Sequence, residues 1–94
     1  MTHIHWLGAG LSSIPGIRRM ASNGQKLTIW NRTLTKAEHS INHVQSADVL
    51  AKKFDLIQLS ILLEPGDVVV SQLAASLHLE IAKICLEKKC HFAS

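Results

Sequence analysis

The chain has little with which to cross-link or anchor itself. Its 94 residues include two cysteines, Cys85 and Cys90, too few for a disulfide scaffold and spaced for neither C-x-x-C redox chemistry nor a zinc knuckle. Buried thiols are the expectation. No apolar run reaches the roughly 18–20 residues of a membrane span. The N-terminus carries no Lys or Arg ahead of its apolar stretch, which Gly8 and Gly10 interrupt, so it does not read as a secretory signal. A dense basic block is also missing. The net charge of +3 is scattered along the chain, which argues against a nucleic-acid partner. Charged residues make up 18% and hydrophobic residues 47%, a balance that favours a packed core over disorder. These absences together predict a reducing, cytoplasmic setting. Length excludes more: a domain of this size buries only roughly 60–65% of its unfolded surface. An enzyme with separate cofactor and substrate lobes does not fit.

What is present alternates between strand and helix patterns. Ile4-His5-Trp6-Leu7 is short, apolar and bounded by glycines, as a strand is. Ile14, Ile17 and Ala21 then recur at helical spacing, and Pro15, tolerable only in a first turn, sets the helix start near residues 12–14. Asn23-Gly24 supplies a stop. Leu27 to Trp30 reads as a second strand. Thr35-Lys36-Ala37-Glu38 fits a capping box opening a helix that runs to about Asn42. Val49 to Phe54 suits a third strand and Leu56 to Leu63 a short apolar helix. Asp67 to Ser71 is a valine run without alternation, typical of a strand buried on both faces. Leu77, Ile81, Ile84, Cys85 and Lys88 mark a last helix, and His91-Phe92-Ala93 a fifth strand. The prediction is an α/β domain over residues 1–94: a Rossmann-type, doubly wound parallel sheet of about five strands in order 3-2-1-4-5. That final strand leaves an open edge, so marginal stability or self-association, a homodimer included, is expected.

The chemistry concentrates where the first strand becomes the first helix. Gly8-Ala9-Gly10-Leu11-Ser12-Ser13 has two of the three glycines of the dinucleotide fingerprint, with Ser13 in the third place. Gly8 permits the turn and Gly10 lets a pyrophosphate approach the backbone. The free N–H groups of the helix attract the anion, and the Ser13 hydroxyl adds a donor. A looser packing of the helix on the sheet is expected from serine at that position. One further absence selects the cofactor. Dinucleotide domains that take NAD place an Asp or Glu about 20 residues after the glycines to hold the ribose 2′-hydroxyl; here Asn31, Arg32 and Thr33 stand instead. The Arg32 guanidinium suits a 2′-phosphate, with Asn31 and Thr33 as neutral donors and Lys36 as a second cation. NADP(H) is therefore the expected cofactor.

Other constellations are weaker. His39 and His43 have the spacing of a ligand pair but no third ligand, so a solvated helix face is expected and no metal. His3 and His5 share one side of the first strand and read as sheet-packing or exposed residues. His78 reads as a helix-start residue. No Ser-His-Asp or paired-carboxylate arrangement is evident, and no catalytic residue is assigned.

Four stretches together resemble the N-terminal part of the saccharopine dehydrogenase family, in its NADP-dependent, glutamate-forming branch (saccharopine reductase). They are Gly8-Ala9-Gly10-Leu11, Asn31-Arg32-Thr33-Leu34, Gly66 to Leu73 with His78, and Cys85-Leu86-Glu87-Lys88 with His91-Phe92-Ala93-Ser94. The resemblance implies an NADP(H)-binding domain of an oxidoreductase acting on the C–N bond of an amino-acid adduct, in lysine and related amino-acid metabolism. It places the pyrophosphate over Gly8, Gly10, Leu11 and Ser12 and the 2′-phosphate on Asn31, Arg32 and Thr33. It further puts an adenine contact at Asp55 and the nicotinamide ribose along Ser71, Gln72, Leu73 and Ala74. Family chains continue past residue 94 into a substrate and dimerisation domain. The expectation is thus a fragment truncated at its C-terminus that binds cofactor and turns nothing over. A non-catalytic module that senses NADP(H) or docks a protein partner is the alternative.

Overall fold

A computed structural model describes residues 2–10, 13–42, 44 and 46–94. The elements alternate strictly: β1 (His3–Leu7), α1 (Ile14–Ser22), β2 (Lys26–Asn31), α2 (Leu34–Ser40), β3 (Val49–Lys53), α3 (Leu56–Leu62), β4 (Val68–Ser71), α4 (Ala75–Lys88) and β5 (His91–Ala93). All four strand pairings are parallel and the sheet order is β3-β2-β1-β4-β5. That is the doubly wound order expected from the valine run and the alternation.

Register decides which residues meet which helices. His3 pairs with Lys26, His5 with Thr28 and Leu7 with Trp30, and His5 and Leu7 face Val69 and Ser71 on β4. Successive side chains alternate between faces, so Leu7, Trp30 and Val69 share one face, where Leu59 and Leu63 of the α3 segment and Ile81 and Cys85 of α4 bury them. The opposite face carries Trp6, Leu27, Ile29 and Val49 and packs on Ile17 and Ala21 of α1 and Ala37 of α2. Each sheet face thus has its own apolar cluster, which is why the valine run of β4 shows no polar alternation.

Two local readings change. α1 closes on the sheet at Gly16, not at position 13: a Cβ on Gly16 would stand 2.9 Å from Trp6 Cη2. The tight helix–sheet contact that a third fingerprint glycine provides is supplied one turn later, so Ser13 does not loosen the helix. The capping box at Thr35 does not form. α2 starts at Leu34 with Thr33 in the N-cap position, extended at φ −105° and ψ 116°, and ends at Ser40. Thr35 and Glu38 lie inside the helix, because the turn out of β2 is short and the helix takes up the chain at once.

α3 is set by its cap. Asp55 Oδ1 accepts from the Ile57 and Gln58 amides at 2.9 and 3.2 Å, satisfying two donors that a helix start leaves free. α4 ends with Lys89 in the left-handed region at φ 60°, and the Cys90 amide donates back to Cys85 O at 2.8 Å. The chain then enters β5 directly. No helix among the described residues is long and apolar enough to cross a membrane.

Candidate functional site

The carboxyl ends of β1, β2 and β4 converge on the glycine turn. The Gly8 amide donates to Trp30 O at 2.7 Å, and the Gln72 amide donates to Leu7 O at 2.8 Å. Gly8 sits at φ +102°, and a Cβ there would meet Gln72 O at 3.3 Å. Both the backbone conformation and the closeness of the β4 end therefore require glycine. Gly10 is exposed, and a Cβ on it would project into open space. Its backbone is the part of the turn a ligand can reach without obstruction.

Asn31, at the tip of β2, ties this turn to the next loop. Its Oδ1 accepts from the Ala9 amide at 3.0 Å and its Nδ2 donates to Thr33 O at 3.1 Å. Where NAD-type domains hold a carboxylate that reads the ribose, this chain holds an amide spanning two backbone segments. Arg32 and Thr33 follow on the exposed loop. Among the described residues the one carboxylate contact of salt-bridge length is Asp67 with the neutral His5 ring, so no carboxylate engages the Arg32 guanidinium.

Two cavities flank that loop. One, of about 220 Å³, lies between the glycine turn and α2 and is lined by Ala9, Gly10, Ile14, Thr35, Lys36 and His39. The other, of about 420 Å³, lies on the far side, at the end of β3, and is lined by residues including Leu34, Lys52, Lys53, Phe54 and Asp55. The structure thus brings Lys36 to the glycine turn and sets Asp55 in the second cavity, with one carboxylate oxygen engaged in the α3 cap. Ser13 is buried at the N-cap of α1 without a side-chain cap bond. Ser71 is buried too, and its Oγ accepts from the Leu73 amide at 3.4 Å. Gln72 and Ala74 are the exposed residues of that segment. Leu11 and Ser12, assigned to the pyrophosphate, lie outside the described residues, as does His43.

His39, which the sequence pairs with His43, instead lines the first cavity beside Lys36. The signal was its spacing of three from Lys36, which puts both on one side of α2. His78 packs edge-on against Phe92, with ring centroids 6.1 Å apart.

His3, His5 and Asp67 form a second polar cluster at the opposite end of the sheet, with potential ligand atoms within 4.8 Å of one another. Its hydrogen bonds argue against a metal. Trp30 Nε1–H donates to His5 Nδ1 at 3.1 Å, so the neutral ring carries its proton on Nε2, the nitrogen that faces Asp67 Oδ2 at 3.4 Å. A cation there would have to expel that proton while the other nitrogen is already occupied. Burial, then the neighbouring His3, pushes the His5 pKa down to about 4 despite Asp67. The ring is neutral, hydrogen-bonded to Trp30 and lying beside Asp67.

The sheet order, the glycine turn on the first strand and the two cavities at the carboxyl ends define a Rossmann-type nucleotide-binding domain. Residues 4–94 match the family model described as the saccharopine dehydrogenase NADP binding domain. The chain belongs to that family, and NADP(H) is the cofactor of its domain. Among solved structures it is similar to apo saccharopine dehydrogenase (L-Glu forming) from Saccharomyces cerevisiae, with a TM-score of 0.82 and 24% identity. That match covers 98% of this chain and 21% of the yeast chain. At this identity the likeness shows the fold. An imine reductase from Myxococcus stipitatus, solved with NAD+, matches at a TM-score of 0.45 and 16% identity, over 98% of this chain and 38% of the other. No curated protein matches the chain.

Proposed function

We propose that this domain holds NADPH for a reductase of the glutamate-forming saccharopine branch, one that reduces an imine formed between glutamate and an aldehyde. The observation that carries the cofactor part is the β2 tip: an unpaired Arg32, no carboxylate, and Asn31 committed to the glycine turn. The branch assignment is supported by the yeast relative and by the four matching sequence stretches.

In this reading the glycine turn from Gly8 through Gly10 to Ser13 faces the pyrophosphate, with Leu11 and Ser12 assigned to it from the sequence. Arg32, Thr33 and Lys36 hold the 2′-phosphate, with Asn31 beside them. Asp55 borders the adenine cavity. Ser71, Gln72 and Leu73 run beside Gly8 and line the nicotinamide ribose. When bound, NADPH supplies the hydride. This chain contributes position and charge complementarity, and the groups that hold the imine belong to a separate substrate domain.

The cofactor assignment is tested by a crystal soaked with NADPH, in which the 2′-phosphate should contact Arg32. A nicotinamide-nucleotide complex with Arg32 turned to solvent counts against it. The reaction is tested by following NADPH oxidation in the intact enzyme. Turnover should require glutamate and an aldehyde together, and turnover with either alone contradicts the branch.

A further inference from the structure

We propose that His39 is a recognition residue for the 2′-phosphate, so that α2 grips it at two points one turn apart, Lys36 and His39. The inference rests on the cofactor reading above and adds to it a residue that neither the glycine turn nor the loop after β2 supplies.

A ribose seated at the tip of β2 has the glycine turn on one side and α2 on the other, since Asn31 binds the turn and Thr33 opens the helix. A 2′-substituent on that ribose enters the cavity of about 220 Å³ between them. The floor of this cavity is apolar (Ala9 and Ile14), and the polar side chains in its lining are Thr35, Lys36 and His39. Among the described residues no carboxylate lines it. Each of these three side chains can donate to an anion seated there. Asn42 Nδ2 stands 3.4 Å from His39 Nδ1, which leaves Nε2 as the nitrogen free to donate to a phosphate oxygen. Loss of such a charge-assisted bond lowers affinity roughly tenfold or more.

The test uses adenosine 2′,5′-bisphosphate and ADP, which differ at the 2′ position, with the 94-residue chain. His39 is exposed, so His39→Ala should fold, and the dispersion of its amide spectrum checks this. The expected result is a roughly tenfold loss of bisphosphate affinity in His39→Ala with ADP affinity unchanged, and recovery in His39→Lys. The His39 ring resonances of the wild type should shift with the bisphosphate and not with ADP. If His39→Ala weakens neither ligand, or both alike, the inference is overturned while the cofactor reading stands. If the wild-type chain binds both ligands equally, the cofactor reading itself falls, and this inference with it.

Discussion

The side chain of Asn31 joins the two loops that frame the nucleotide site: Oδ1 accepts from the Ala9 amide and Nδ2 donates to the Thr33 carbonyl, at 3.0 and 3.1 Å. By holding the turn, Asn31 should act on both dinucleotides. Asn31→Ala should weaken NADPH and NADH by similar factors. Asn31→Asp retains the acceptor for Ala9, adds a negative charge beside the 2′-phosphate, and should weaken NADPH selectively. Calorimetric titration of both variants with both nucleotides checks this. A selective loss of NADPH in the alanine variant would instead make Asn31 chiefly a phosphate contact.

Gly16 is where α1 touches the sheet. A methyl group there would approach Trp6 Cη2 to 2.9 Å, and Trp6 is buried within the α1 cluster. Overpacking costs about 1–3 kcal/mol, while alanine returns up to about 1 kcal/mol of helix propensity. Gly16→Ala should therefore destabilise the domain by about 1–2 kcal/mol, read as a lower urea midpoint. An unchanged midpoint would mean that the helix can move off the sheet at little cost.

Stability should fall with acid. The folded domain holds the His5 pKa near 4, whereas the unfolded chain binds that proton near the ordinary imidazole value of 6.5. His3 is lowered as well, chiefly by burial. A folded-state pKa below the unfolded one contributes stability that is present above pH 6.5 and lost as pH falls toward 4, on the order of 3 kcal/mol for His5. Urea unfolding across that range should show the loss, and His5→Gln should flatten it. A pH-independent midpoint in the wild type would contradict the buried neutral ring.

The thiols should be slow to react. Burial, then Cys90, pushes the Cys85 pKa up to about 11, and burial, then Asp67, raises Cys90. Since the thiolate is the nucleophile, alkylation by iodoacetamide near neutral pH should be far slower in the folded protein than in urea. Equal rates would place at least one thiol in the open.

The topology was legible because each of its signals is local. The glycines, the valine run and the spacing of Ile81, Ile84 and Cys85 belong to single elements, and doubly wound chains follow few orders. Thr33 was hidden by a capping-box pattern two residues later that the short turn overrides. The bond from Trp30 to His5 and the contact of Gly16 with Trp6 join different elements, so no local pattern announces them. Asn31 was legible as the missing acid and illegible as a brace, because its partner Ala9 lies 22 residues back.

The preference for a 2′-phosphorylated nucleotide is tested most directly by titrating the domain calorimetrically with NADPH and with NADH. NADPH should bind more tightly, and Arg32→Ala should remove about 1.5–3 kcal/mol of that binding while leaving NADH nearly unchanged. Equal affinities, or tighter binding of NADH, would contradict it.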